Sequence, residues 1–431
     1  MAMSTLQPTN AVRKAALGLL SFLNASPTPY HAAMEASVRL EKAGFCRLRE
    51  EEEWDISPGG RYYFTSLRVR PVSKKTANGY LQVAVETYGG GIWHTWFDRD
   101  LGLAGRVIVT APSSSSSSSS GGPFHSKLVK INKPLLRIPS LAIHLDRSVN
   151  ENFKFNQETE FMPVLGLSIA SQLNNPIVAA QKETGEQQAD QPENKTKKNG
   201  GNGLDIAPNH HPAILHLLAE ELSVKPEEIH DFELHLFDTQ PPCLGGINEE
   251  FIFSPRLDNQ MTSYCALEAL IESVSDESQA TIDSQTNSNV NLIALFNHEE
   301  VGSVSTTGAE SSLIPSVMSR LSPTPDALAR TIARSFLISS DMGHGIHPNY
   351  TSKYQQNHRP ELNGGIVLKT NAKQKYTTDA VGSFFIKQLA ARRNGSVQEF
   401  EVRNDMTCGS TVGPLLSKLG VRTVDVGLAQ L

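Results

Sequence analysis

Apolar and polar positions follow two periods along this chain, and the change between them divides it. Near the start, Val12, Leu19, Leu20 and Leu23 recur at helical spacing, and Asn24, Ser26 and Pro27 end the run. That pattern predicts an amphipathic helix. The same stretch, two basic residues and then a short apolar run, also outlines a signal peptide, but Gly18 and Ser21 interrupt it and favour the helix. "MEASVRLEKAGF" reads as a second helix and "RYYFT" as a strand. From "LQVAVETYGGGIW" to about residue 145 the pattern is of short strands and frequent turns, a β-rich stretch. The serine run followed by glycines at 113–122 and the polar segment 182–203 read as solvated loops.

Beyond residue 210 the period becomes helical, then strand-like, in alternation. "HPAILHLLAEELSV" and "MTSYCALEALIESV" predict helices, whereas "IHDFELHLFDT", "VNLIALF", "SFLISS", "GIVLKT", "FEVRN" and "RTVDVG" predict strands. "TDAVGSFFIKQLAAR" and "GPLLSKLG" supply further helices. Apolar strands without polar alternation, set between helices, indicate a largely parallel sheet covered on both faces. The reading is an α/β protein interrupted by a β-rich domain. Residues 1–80 and 239–431 form the two parts of the α/β domain, and 81–238 form the insert.

Composition narrows the functions. The formal net charge of −6 and the lack of a long basic stripe argue against a nucleic-acid partner. No run approaches the ~20 apolar residues that span a bilayer, so no membrane partner is expected. Cys46, Cys243, Cys265 and Cys408 lie far apart without a CxxC pair, which suits a reducing, cytoplasmic setting and disfavours a thiolate zinc site.

The chemistry concentrates at acids. Three apolar segments each deliver one just past their end: "EFIFSPRLDN" gives Asp258, "LIALFNHEEVGS" gives Glu299 and Glu300, and "SFLISSDMGHG" gives Asp341. In open α/β sheets, ligands bind at the carboxyl edge of the strands. Converging carboxylates repel unless cations compensate them, and divalent metals would do so while lowering the pKa of a bound water. Singly, Asp258 or Asp341 fits a helix cap or solvated turn equally well. Adjacent residues point apart, so of Glu299 and Glu300 one can face a metal and the other act as general base.

The chain resembles the aspartyl aminopeptidases, zinc exopeptidases of the M18 peptidase family. The resemblance rests on "VETYGGGIWHTWFDRDLGLAGRVIV", "LLRIPSLAIHLDR", "DTQPPCLGGINEEFIFSPRLDN", "NHEEVGS", "SSDMGHGIHPNY", "NHRPELNGGIVLKTNAKQKY" and "VRNDMTCGSTVGP". It implies a zinc-peptidase α/β domain with an inserted β-rich dimerisation domain, a tetrahedral homododecamer, two Zn2+ per subunit, and release of N-terminal Asp or Glu from peptides. By position it implies Asp258 as the bridging carboxylate, Glu300 and Asp341 as ligands of one zinc each, and Glu299 as general base. Asp341, Glu299, His344, Lys369 and Tyr376 match substrate-contacting positions, and His144 matches a histidine donated to a partner subunit. His298 reads as a strand-end residue with a local partner. His347 either shapes the "HPNY" loop or touches substrate.

Two departures qualify this. The family's "AHTDSP" segment, with a zinc-ligand histidine, is absent where "RYYFT" meets "SLRVRPVSKK" at Thr65–Ser66. The "MHS" segment with the last ligand histidine does not follow "VDVGLAQL". The remaining all-oxygen donors favour Mg2+ or Mn2+ over Zn2+, and this polypeptide alone is expected to have little peptidase activity. An alternative is a non-catalytic subunit that joins complete subunits through the β-rich domain. A vacuolar relative preferring neutral residues is disfavoured by Lys369.

Overall fold

The computed structural model describes residues 9–65, 75–111, 123–168, 206–275 and 289–431. The loops read at 113–122 and 182–203, and Ser66 of the junction, lie outside them. The chain divides into two compact units, one of residues 1–68 with 242–431 and one of residues 69–241.

The first unit opens with helix α1 (Asn10–Ala25) and helix α2 (Pro29–Lys42). Thr9 and Thr28 cap them by accepting hydrogen bonds from Val12 N and His31 N. Of the expected stripe on α1, Leu19 and Leu23 are buried together with Phe22, Leu20 is half-buried, and Val12 near the N-terminal end is exposed.

The second unit is built on an antiparallel sheet of β1 (Leu101–Thr110), β2 (Phe124–Leu136) and β3 (Ile229–Asp238), with β1 in the centre. Helix α3 (Pro212–Leu222) precedes β3. These strands are long rather than short, because alternate Leu, Val and Ile side chains along β1 sustain the ladder over ten residues. Leu101, Val107 and Val109 are fully enclosed with Ile138 and with Leu218 of α3. Gly105 is required in β1, since a Cβ there would lie 1.8 Å from the Glu233 carbonyl oxygen.

The first unit resumes with a hairpin of β4 (Cys243–Gly245) and β5 (Phe251–Phe253), then helix α4 (Leu257–Ser273). Tyr264 and Leu267 of α4 pack on Leu19, Phe22, Leu23 and Leu40, joining the two sequence-distant parts of this unit. Helices α5 (Leu313–Arg320) and α6 (Pro325–Arg334) lead to β6 (Phe336–Ser340) and β7 (Gly343–His344). Then come β8 (Ile366–Thr370), α7 (Ala380–Arg392), β9 (Val397–Glu401), the short α8 (Gly413–Ser417), β10 (Arg422–Gly427) and β11 (Ala429–Gln430).

The main sheet has the order β6–β10–β8–β9. It is mixed, not parallel throughout: β6 runs parallel to β10 and β8 to β9, but β8 and β10 are antiparallel. "VNLIALF" forms no strand. Val290, Leu292 and Leu295 are exposed, and its backbone has no ladder to join. An apolar period alone does not make a strand without a neighbour to receive its hydrogen bonds. For the same reason β6 stands at an edge, with Phe336 and Ile338 still 36% and 46% exposed.

Candidate active site

Asp341 directly follows β6, as expected. Asp258 differs, because it follows the β4–β5 hairpin and sits at the second residue of α4 with non-helical φ −84° and ψ 114°. No side chain caps that helix start, so the capping reading of Asp258 does not hold. The segment is held from behind. Asn259 Nδ2 donates to the Ser340 carbonyl at 2.9 Å, and Thr262 Oγ1 donates to the same oxygen at 3.2 Å. This clasp ties the start of α4 to the residue immediately before Asp341, and Gln430 Nε2 donates to Asp258 Oδ2 at 3.3 Å.

Glu299 and Glu300 lie in a single turn of 3-10 helix, Glu299–Val301, between His298 at φ 62° and Gly302 at φ 100°. His298 has the local partner expected of it: its Nδ1 is 2.6 Å from Ser305 Oγ, and Ser303 N donates to its carbonyl at 2.8 Å. A non-glycine residue in the left-handed region needs such anchors.

The acids act on one another. Burial pushes the Asp258 carboxyl up to about 7, reinforced by the charge and a shared hydrogen bond of Asp341 and by Glu299 and Glu300. Burial likewise pushes Glu299 up to about 7, with Asp341 and Glu300 adding to it and Lys369 opposing it. Each residue is nonetheless only partly enclosed, with surface left in contact with water that tempers the repulsion. The four acids thus share one electrostatic neighbourhood.

Lys369 answers them. It is buried to 1% exposure on β8, and its Nζ donates to Met342 O at 2.6 Å and to Asp341 Oδ2 at 3.3 Å. The ammonium also stands 5.4 Å from the centre of the buried Tyr376 ring. Burial raises the Tyr376 phenol well above its ordinary value. His344 lies on β7 with its ring 6.1 Å from Phe400. His347 shapes its own loop, its Nδ1 accepting from Asn349 N at 3.2 Å and its ring lying 4.8 Å from Tyr350. His144 belongs to the other unit, exposed in a turn.

The family model described as "Aminopeptidase I zinc metalloprotease (M18)" matches residues 22–66 and 65–431. The chain belongs to this family. An aspartyl aminopeptidase of Aspergillus oryzae is 45% identical over 97% of this chain and 91% of its own length. Among solved structures, the cryo-EM structure of the Ape4 and Nbr1 complex matches with a TM-score of 0.83 at 40% identity, covering 97% of this chain and 81% of the other. The S. cerevisiae mApe1 dodecamer matches at 0.72 and 26% identity, covering 97% and 90%. This M18 chain is therefore a metalloaminopeptidase by family, with the α/β fold of that family. Its match breaks where Thr65 meets Ser66, and the alignment with the A. oryzae relative runs over 471 residues against the chain's 431. The relative thus carries residues that have no counterpart here.

Zinc is the family's metal, and the donors present do not fit it. Asp258, Glu299, Glu300 and Asp341 are all carboxylates, whereas catalytic zinc takes three protein ligands that usually include histidine. Among the described residues, no group of three His, Cys, Asp or Glu side chains has a geometry that could hold a metal ion. Asp341 is answered by the Lys369 ammonium and Asp258 by the Gln430 amide. Sequence reasoning missed Asn259, Thr262, Gln430 and the buried Asp425. For Asp425 a signal existed: an acid in the middle of the apolar "RTVDVG".

Proposed function

We propose that this chain carries the acid-recognising and proton-transferring part of an aspartyl aminopeptidase site, for peptides with N-terminal Asp or Glu. The observation that carries the reading is the convergence of Asp258, Glu299, Glu300 and Asp341 beside the buried Lys369. In this reading Glu299, a carboxyl poised near neutrality, takes the proton of the attacking water. Asp258, Glu300 and Asp341 would face a metal only where further donors complete its shell. An ammonium has three N–H donors and Lys369 commits two, so one remains for the acidic side chain of the substrate. Tyr376, against the Lys369 ammonium, and His344, beside Phe400, are the further substrate contacts, and His144 serves a partner subunit. The protein acts as a homo-oligomer, a tetrahedral dodecamer, in the cytoplasm. Among the described residues no helix is long and apolar enough to cross a membrane.

Because the carboxylates do not make a zinc site alone, the isolated polypeptide has little activity. The test compares release of N-terminal Asp from a peptide by this protein and by the A. oryzae relative, each homogeneous and equally metal-loaded. Peptide binding by calorimetry accompanies it. Weak turnover with binding that prefers N-terminal Asp over Ala is expected; turnover matching the relative overturns the donor argument, and equal binding of both peptides overturns the specificity.

A second reading is favoured by the intact β1–β2–β3 sheet and its core: a non-catalytic subunit that assembles with complete subunits. Native mass spectrometry after co-expression should then show mixed assemblies, and only uniform ones would count against it.

A further inference from the structure

Asp425 is a fully buried carboxylate in the middle of β10 that the proposed chemistry does not use. None of the ion pairs among the described residues includes it, so its charge is met by hydrogen bonds alone. Burying a charge in that way is costly unless donors surround it.

The donors come from two loops. Thr377 supplies its N–H at 2.6 Å and its hydroxyl at 2.8 Å, both to Oδ2. The Thr411 hydroxyl donates to Oδ1. The strand backbone joins in, with Asp425 N donating to Thr378 Oγ1 at 2.9 Å. Gly413 closes the far side, where a Cβ would stand 2.4 Å from Oδ1. Each loop presents one member of a contact: Thr377 follows Tyr376, and Thr411 lies three residues after Cys408. Cys408 Sγ donates to Tyr376 Oη at 3.3 Å. The two oxygens of one carboxylate therefore each fasten one of the loops that bring this phenol and this thiol together.

We propose that Asp425 is a positioning residue that bridges the Tyr376 and Cys408 loops and so fixes the Tyr376 ring under the Lys369 ammonium. Its bearing on substrate rests on the aminopeptidase reading; the bridging does not. A neutral or apolar residue would fill the strand equally well, but it could not accept from both loops at once.

The test reads Cys408 directly. Alkylation of each cysteine by iodoacetamide is followed by mass spectrometry, with the exposed Cys46 and Cys243 as internal references and melting temperature recorded alongside. Thr411→Val removes the hydroxyl at nearly constant shape, Thr411→Ser keeps it, and Asp425→Asn replaces one acceptor oxygen by a donor. Thr411→Val and Asp425→Asn should speed Cys408 alkylation by about tenfold, as expected for losing a hydrogen bond to a charged acceptor. Thr411→Ser should stay within about twofold of the parent because it retains that bond. If Asp425→Asn does not fold, Thr411→Val against Thr411→Ser carries the comparison. An unchanged Cys408 rate in folded Thr411→Val overturns the proposal, as does a rise shared equally by the reference cysteines. If Cys408 responds as stated while acidic peptides fail to bind the parent protein, the aminopeptidase reading falls and the bridging role stands.

Discussion

Replacing Lys369 by Met keeps the length of the buried stem and removes only the ammonium. Asp341 then faces Asp258 and Glu299 without its cation, and the Met342 carbonyl loses its 2.6 Å donor. Breaking a buried ion pair by deleting one partner costs about 3–5 kcal/mol. Asp341 keeps 21% of its side-chain surface, so water offsets part of that cost and about 2 kcal/mol at pH 8 is the reasonable value here. The sign with pH follows from Glu299, which lies at about 7 although Lys369 already pulls it down. Without the ammonium it moves further up. A carboxyl raised in the folded state holds a proton that the unfolded chain has released, so its stability is lost as pH climbs from about 4 through the folded value. The deficit of K369M should therefore be small at pH 5 and grow toward pH 8. Calorimetry at the two pH values on metal-free protein is the assay. A fall in Tm of about 4–8 °C is expected at pH 8, with roughly half of that or less at pH 5, and K369M/D341N should recover part of it. Equal deficits at both pH values would show that the loss is one of packing, and the electrostatic reasoning would be refuted.

Other outcomes follow from the same geometry. Metal-free parent protein should lose stability between about pH 4 and 7, because Asp258 is pushed up to about 7, and D258N should flatten that slope in thermal melts. Gly427→Ala should disturb Lys369, since its Cβ would meet Lys369 Cε at 2.8 Å and the Asp341 carbonyl oxygen at 2.1 Å; weaker binding of an Asp-leading peptide, measured by calorimetry, is the sign to look for. Leu218→Ala, at 0% exposure in the core of the second unit, should cost about 2–5 kcal/mol in urea unfolding of that unit. Ile338→Lys, on the open edge strand β6, should reduce concentration-dependent light scattering without lowering Tm by more than a degree or two, because charge on an edge discourages strand pairing.

Much of this architecture can be read from the chain. The helices around residues 10–25 and 380–392 follow from spacing and caps that act within a few residues. The acids at Glu299, Glu300 and Asp341 follow from apolar runs that end in charge. What escapes such reading depends on distant neighbours. "VNLIALF" has the apolar character of a strand but no partner, and the antiparallel β8–β10 pairing depends on chain reversals that no local period encodes. Lys369 taken alone resembles a surface lysine at a strand's end; only β10 and the Asp341 peptide make it a buried cation. Asp258 was legible as an acid, but not as a residue held by Asn259 and Thr262 to a carbonyl some eighty positions away.

The packing of α1 and α2 on α4 has a consequence for how this protein is made. Gln260 Nε2 bonds the Ser26 carbonyl across 234 positions of chain, and the Leu19, Phe22 and Leu23 stripe, which Ala36 and Leu40 of α2 cover in part, is completed only when Tyr264 and Leu267 arrive. At translation rates of 5–20 residues per second, that interval is roughly 10–50 s. Throughout it the first helices leave the ribosome with their apolar stripe only partly covered, while every residue of the second unit, 69–241, is synthesised before α4 begins. The inserted unit can therefore fold during synthesis, and the unit that bears the acids must wait, its opening segment a standing target for holdase chaperones until α4 has been made.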